Sequence, residues 1–128
     1  MSEDKVIEAG GLEFRIAYRR FGGDRGPAIH VFGDVDGRPV QVLRFDCFEK
    51  TPHYHYDPSG MDGYHLLDRA VVPDVVAWSL VQIRDNIAAM VKTAGYPGLA
   101  EKIDRNAIAE KIDALRQAVE EVEEEATS

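Results

Sequence analysis

The stretch Phe45-Asp46-Cys47-Phe48-Glu49-Lys50-Thr51-Pro52-His53-Tyr54-His55-Tyr56-Asp57-Pro58 gathers most of the side chains able to do chemistry. Three of the chain's four histidines fall between positions 53 and 65. If 52–57 is extended, residues two apart point the same way, so His53, His55 and Asp57 share one face and Tyr54 and Tyr56 the other. Neighbouring Cβ atoms on one face lie about 7 Å apart, a gap that two side chains can close around one metal ion. Imidazole nitrogen and carboxylate oxygen suit zinc, iron, nickel or manganese. Asp46, Cys47, Asp62 and His65 are further candidate ligands. A plainer account competes: Tyr and His also favour strands and half-buried surfaces. Local geometry arranges only two or three ligands where a metal takes three or four, and neither Cys nor His occurs after His65.

Other catalytic arrangements are weaker. Cys47 with His53 or His55 would make a nucleophile–base pair, but Cys47 alternates with Leu43 and Phe45, and an apolar strand cysteine is usually structural. Ser59 and Ser79 lack a nucleophile elbow. Gly22, Gly23 and Gly26 precede no Gly-Lys-Ser/Thr and make no phosphate loop. Asp34, Asp36 and Gly37 mimic part of a calcium loop without its bidentate Glu. Asp57, Asp62 and Asp68 are too loosely spaced for an acid–base pair. Arg15 and Arg19, with Arg44 nearby, suit an anion or an acidic partner; a solvated face balanced by Glu and Asp is the favoured account, since surface ion pairs are worth little.

The elements that must position these residues change character along the chain. Up to about Pro58–Gly63 the apolar residues recur with period two; after Pro73 they follow the helical period. Leu12, Phe14, Ile16 and Tyr18 alternate with Glu13, Arg15, Ala17 and Arg19, a strand with one wet face. Asp36-Gly37 is a type I′ hairpin signal. It sets Val35 against Arg38, Gly33 against Val40 and Val31 against Val42. One face then carries Ile29, Val31, Val40 and Val42, continuing to Arg44 and Asp46. The other carries His30, Phe32, Leu43, Phe45 and Cys47. Both are substantially apolar, which calls for helices on one and a partner subunit on the other. The expected architecture is α+β: an antiparallel meander of about four strands (about 12–21, 28–35, 38–48 and 52–57), then two main helices (about 73–94 and 105–124) packed on one face.

Pro73 suits the first turn of the first helix, whose stripe is Val76, Leu80, Ile83, Ile87, Met90 or Val91, and Ala94, widened by Trp78; Gly95 and Pro97 end it. A short helical turn over Leu99–Ile103 follows. Asp104 or Asn106 caps the last helix, whose stripe is Ile108, Ile112, Leu115, Val119 and Val122. Glu120, Glu121, Glu123, Glu124 and Glu125 crowd its C-terminal end, where negative charge opposes the helix dipole. The expectation is one domain with frayed ends at 1–10 and 123–128.

Bulk properties bound the rest. The chain has 128 residues and a formal net charge of -8, enough length for a core without staples and an acidity that disfavours nucleic acid. A single cysteine, Cys47, forms no internal disulfide, and Met1–Gly11 has no apolar run of the signal-peptide kind. No segment reaches the roughly 20 apolar residues of a membrane span. The cytoplasm is the expected compartment.

The run Val42-Leu43-Arg44-Phe45-Asp46, followed by Pro52-His53-Tyr54-His55, resembles the core of TumE-type proteins of bacterial toxin–antitoxin modules, in which a strand ending in Arg-Tyr-Asp precedes a Pro-His segment. The likeness spans about residues 40–57. It departs at Cys47, where those proteins commonly have Asn, and in the two long C-terminal helices. The chain as a whole looks like one of the uncharacterised small bacterial families. The resemblance implies a toxin–antitoxin component and transfers no functional residue. Taken together, the sequence favours a non-catalytic module that binds a protein partner or itself, as a homodimer. The alternative is a metal-binding protein or small metalloenzyme using His53, His55 and Asp57, with His65 and Asp46 in reserve.

Overall fold

The computed structural model describes residues 4–127. Among them, six strands pair in chain order into one antiparallel sheet: β1 (Lys5–Ala9), β2 (Leu12–Phe21), β3 (Asp24–Val35), β4 (Arg38–Asp46), β5 (His53–Tyr56) and β6 (Gly63–Leu66). The meander is therefore longer than the four strands expected. β1 is only five residues and β6 four; such short strands carry too little alternation to stand out, and they exist because β2 and β5 offer them edges. The boundaries also shift: β3 begins at Asp24 rather than 28, and β4 ends at Asp46 rather than 48. Of the ends expected to fray, residues 1–3 and 128 lie outside the described residues. Lys5–Ala9 pairs with β2, and 123–127 continue the last helix.

One backbone irregularity decides what each face of the sheet carries. The β3–β4 hairpin turns at Asp36-Gly37, both at positive φ, and Val35 faces Arg38 and Gly33 faces Val40 as the turn chemistry dictates. Then Phe32 pairs with Gln41 while Val31 pairs with Leu43, so Val42 is an extra residue on β4. A bulge of this kind moves every later side chain to the opposite face. The expected pairing of Val31 with Val42 is corrected here, and with it the expectation of two apolar faces. Leu43 and Phe45 join Phe14, Ile16, Ile29 and Val31 in the core. Arg44 and Asp46 join His30, across the strands from His55 and His53.

The helices cover the apolar face: α1 (Val75–Thr93), α2 (Pro97–Glu101), α3 (Arg105–Glu110) and α4 (Ile112–Thr127). α1 lies against β4 and β5, α2 against β3, and α4 against β1, β2 and β3. The cap of α1 is Asp74, which accepts from Ala77 N–H at 3.0 Å, so Pro73 precedes the helix rather than opening it. Asp104 caps α3. The expected last helix is interrupted at Lys111 into α3 and α4, yet the whole stripe Ile108, Ile112, Leu115, Val119 and Val122 is buried. A Cβ at Gly33 would overlap the side chain of Leu99, so the bare backbone there lets α2 sit close on the sheet. Trp78 of α1 meets the rings of Phe45 and Tyr54, so the strands that carry the histidines rest on α1.

Candidate metal centre

Cross-strand neighbours on one face of a sheet stand side by side. In the β4–β5 pair, Asp46 is opposite His53 and Arg44 opposite His55. The face that carries them is the one without helices. There Asp46 Oδ2 lies 2.9 Å from His53 Nε2 and 3.5 Å from His55 Nε2, and one donor atom from each of the three lies within 4.8 Å of the others. Two donors on one tetrahedral zinc stand roughly 3.4 Å apart, given bond lengths near 2.1 Å. The three atoms are thus already close to ligating separations.

Both rings are oriented from behind. His53 Nδ1 is 2.8 Å from the carbonyl of Thr51; a carbonyl only accepts, so Nδ1 carries hydrogen. Its Nε2 points at the Asp46 carboxylate. Burial alone would lower the His53 pKa, but the Asp46 and Thr51 acceptors outweigh it and the net shift is upward. His55 Nδ1 donates to Asp62 Oδ1 at 2.7 Å, and its Nε2 accepts from Arg44 Nη2 at 3.0 Å. A guanidinium has no acceptor, which fixes His55 as the neutral Nδ1–H tautomer. Burial and the Arg44 charge push its pKa down. Asp46 is fully buried. Burial would raise its pKa, yet the His53 bond and Arg44 hold the carboxyl down at about 2. Arg44 Nε donates to Oδ2 at 2.9 Å and Arg19 Nη1 to Oδ1 at 3.1 Å.

The chain belongs to the family described as a domain of unknown function, DUF7700, whose model matches residues 6–119.

That DUF7700 match spans every residue of the cluster. No curated protein and no solved structure matches the chain, and a relationship to TumE-type proteins is not shown. No helix of the described residues is long and apolar enough to cross a membrane.

The other candidate ligands stand elsewhere. β5 ends at Tyr56, and Asp57 takes a positive φ of 51°, which turns it out of the alternation that would have set it beside His55. Its carboxylate accepts from Tyr96 Oη at 2.5 Å and from Met61 N–H at 2.8 Å. His65 pairs with Tyr54 and stacks on its ring, centroids 5.0 Å apart, on the face away from His53 and His55. Cys47 lies under the helices, 3.6 Å from Ser79 Oγ, and burial pushes its thiol up to about 12, unsuited to nucleophilic or ligand duty. Asp62 is in the second layer, behind His55. Arg44 and Arg19 adjoin this cluster, to which the sequence did not assign them. The signal that would have placed them is the cross-strand register, which the Val42 bulge conceals.

Proposed function

We propose that this DUF7700 protein binds a divalent transition metal through His53 Nε2, His55 Nε2 and Asp46 Oδ2. The observation that carries the reading is the convergence of two imidazoles on one buried carboxylate, each imidazole with its far nitrogen held by an acceptor. Outer acceptors of this kind fix the tautomer and aim the ligand, and they are characteristic of metal-ligating histidine. Two imidazoles and a carboxylate suit iron(II), zinc or manganese. Three protein ligands leave a coordination position for water or a small molecule, as catalytic rather than structural sites do. The support for an apolar-face partner module weakens at the same time, because the face without helices is lined by Arg15, Arg19, His30, Arg44, Asp46 and the two histidines.

Elemental analysis of protein purified without a nickel column, with thermal shift against zinc, iron(II), manganese and nickel, tests the proposal. The expectation is about one metal per chain and stabilisation by about 2.7 kcal/mol at a hundredfold excess over Kd. His53→Ala and Asp46→Asn are each expected to abolish the metal-dependent shift. Absence of stoichiometric metal together with no shift for any of the four ions sinks it.

A second reading, self-association, has support of a different kind. β6 is a sheet edge, with Tyr64 49% and Leu66 63% exposed, and Met61 beside it is 89% exposed. Unpaired edges with apolar side chains favour strand addition. Light scattering is expected to show a dimer that Leu66→Lys dissociates; a monomer at every concentration discards the reading.

A further inference from the structure

Arg44 and a metal ion compete for the same lone pair. His55 Nε2 has one, and it accepts from Arg44 Nη2 at 3.0 Å. Ligation takes that lone pair and strips the Nη2 donor of its acceptor. The guanidinium stays close, because its Nε is tied to Asp46 Oδ2 at 2.9 Å. A dication then lies beside a guanidinium, on a face where Arg19 adds a second positive charge to Asp46. The carboxylates of Asp46 and Asp62 offset the two guanidiniums, and the charge of the metal is left unbalanced. Arg15, further along the face, is paired with Glu13 at 2.8 Å and adds nothing to the account.

An anion with two oxygens on one centre resolves both problems. One oxygen fills the open coordination position; the other accepts the donor that Arg44 has lost. A guanidinium N–H makes a charge-assisted hydrogen bond to a carboxylate or phosphate oxygen, stronger than a neutral one. Resting on the metal-binding reading above, we propose that the site takes a small oxyanion, a carboxylate or a phosphate, held jointly by the bound metal and Arg44. Tyr64 borders the cluster, its ring 4.6 Å from that of His53, and the side chains of Arg44 and Arg19 are its partly exposed members.

The coupling is reciprocal, since metal and anion must each tighten the other by the same factor. The test uses the full chain titrated with cobalt(II), followed by visible absorption, in the presence of oxalate, acetate or inorganic phosphate. Saturating anion is expected to lower the cobalt Kd about tenfold, toward the low end of typical couplings between sites. Tightening by oxalate and acetate alone assigns a carboxylate ligand; tightening by phosphate alone assigns a phosphate. Arg44→Met removes the competitor, so cobalt alone binds more tightly than to wild type while the anion effect disappears. Arg44→Lys keeps the charge without the planar guanidinium that reaches Asp46 and the anion together, and is expected to lose most of the anion effect in a chain that folds as wild type does. Cobalt binding with no anion effect overturns this inference and leaves the metal reading standing. An anion effect of wild-type size in both variants overturns it too, because the anion then answers to the metal alone. Failure of wild type to bind cobalt removes the metal reading and this inference with it.

Discussion

Asp57 and Asp62 are near neighbours in sequence with opposite duties. Asp62 Oδ1 takes the Nδ1 hydrogen of His55, whereas the Asp57 carboxylate faces Tyr96 and Met61. Removing an acceptor that orients a ligating histidine typically costs ten- to a hundredfold in metal affinity. Asp62→Ala is therefore expected to weaken zinc binding about tenfold, measured by competition with a chromophoric chelator, and Asp57→Ala to leave it unchanged. The reverse pattern would place the site where simple alternation had it. The alternation holds within β5 and stops at its end, before Asp57. Period two put His53 and His55 on one side. It chose Asp57 as the third member because nothing in Tyr56-Asp57-Pro58 signals that the strand stops before Asp57. Asp46, the buried carboxylate, lies on a different strand and meets His53 through cross-strand pairing, a relation that a single-strand argument does not contain.

The elements carry the same lesson at a larger size. β2, the Asp36-Gly37 turn and the two helical stripes could be read from period and punctuation, since each depends on residues close in sequence. The Val42 bulge could not, because Gln41-Val42-Leu43 is acceptable with or without it. What selects the bulged register is burial: it places Leu43 and Phe45 under the helices and lifts Arg44 and Asp46 clear of them. The connection from β4 to β5 has its own device. Asp24 Oδ1 accepts from Arg25 N–H at 2.8 Å and Lys50 N–H at 3.0 Å, and Oδ2 from Thr51 N–H at 2.7 Å. This clasp holds the segment whose Thr51 carbonyl orients His53. Burial acts to raise the Asp24 pKa, but the three backbone donors outweigh it and the net shift is downward. A lowered folded pKa contributes stability that is present above the unfolded value, near 3.9, and lost as pH falls through the folded value. Asp24→Asn is expected to cost about 1 kcal/mol at neutral pH, a charged hydrogen-bonding contribution discounted for exposure. Urea unfolding should show that gap closing as pH drops below about 4. A gap independent of pH would mean that the carboxylate charge is not what the three amides recognise.

Across the whole molecule, one hydrogen bond ties the helical layer to the far end of the candidate site. Tyr96, between α1 and α2, donates its hydroxyl hydrogen to Asp57 in the β5–β6 connection. That connection also supplies Asp62 to His55, so the helices reach the cluster through two successive carboxylates rather than by direct contact. The Asp57 bond, with burial assisting, pushes the Tyr96 hydroxyl up to about 12. A tyrosine whose folded pKa is raised contributes stability that is complete below its unfolded value, about 10, and lost as pH rises through the folded one. Tyr96→Phe removes the donor and leaves Asp57, a buried carboxylate, with Met61 N–H. The expected cost is about 1.5 kcal/mol at pH 7, read by urea or thermal unfolding. The gap to wild type should narrow between about pH 10 and 12, as Tyr96 of the wild type ionises. The same variant should bind zinc as wild type does, because Asp62 keeps His55 in place without help from Tyr96. Stability lost with metal affinity intact would show that the helical layer supports the fold while the sheet face alone carries the chemistry. A variant that lost both in proportion would instead make the β5–β6 connection a mechanical link between them, and Asp57 would re-enter the site as its support.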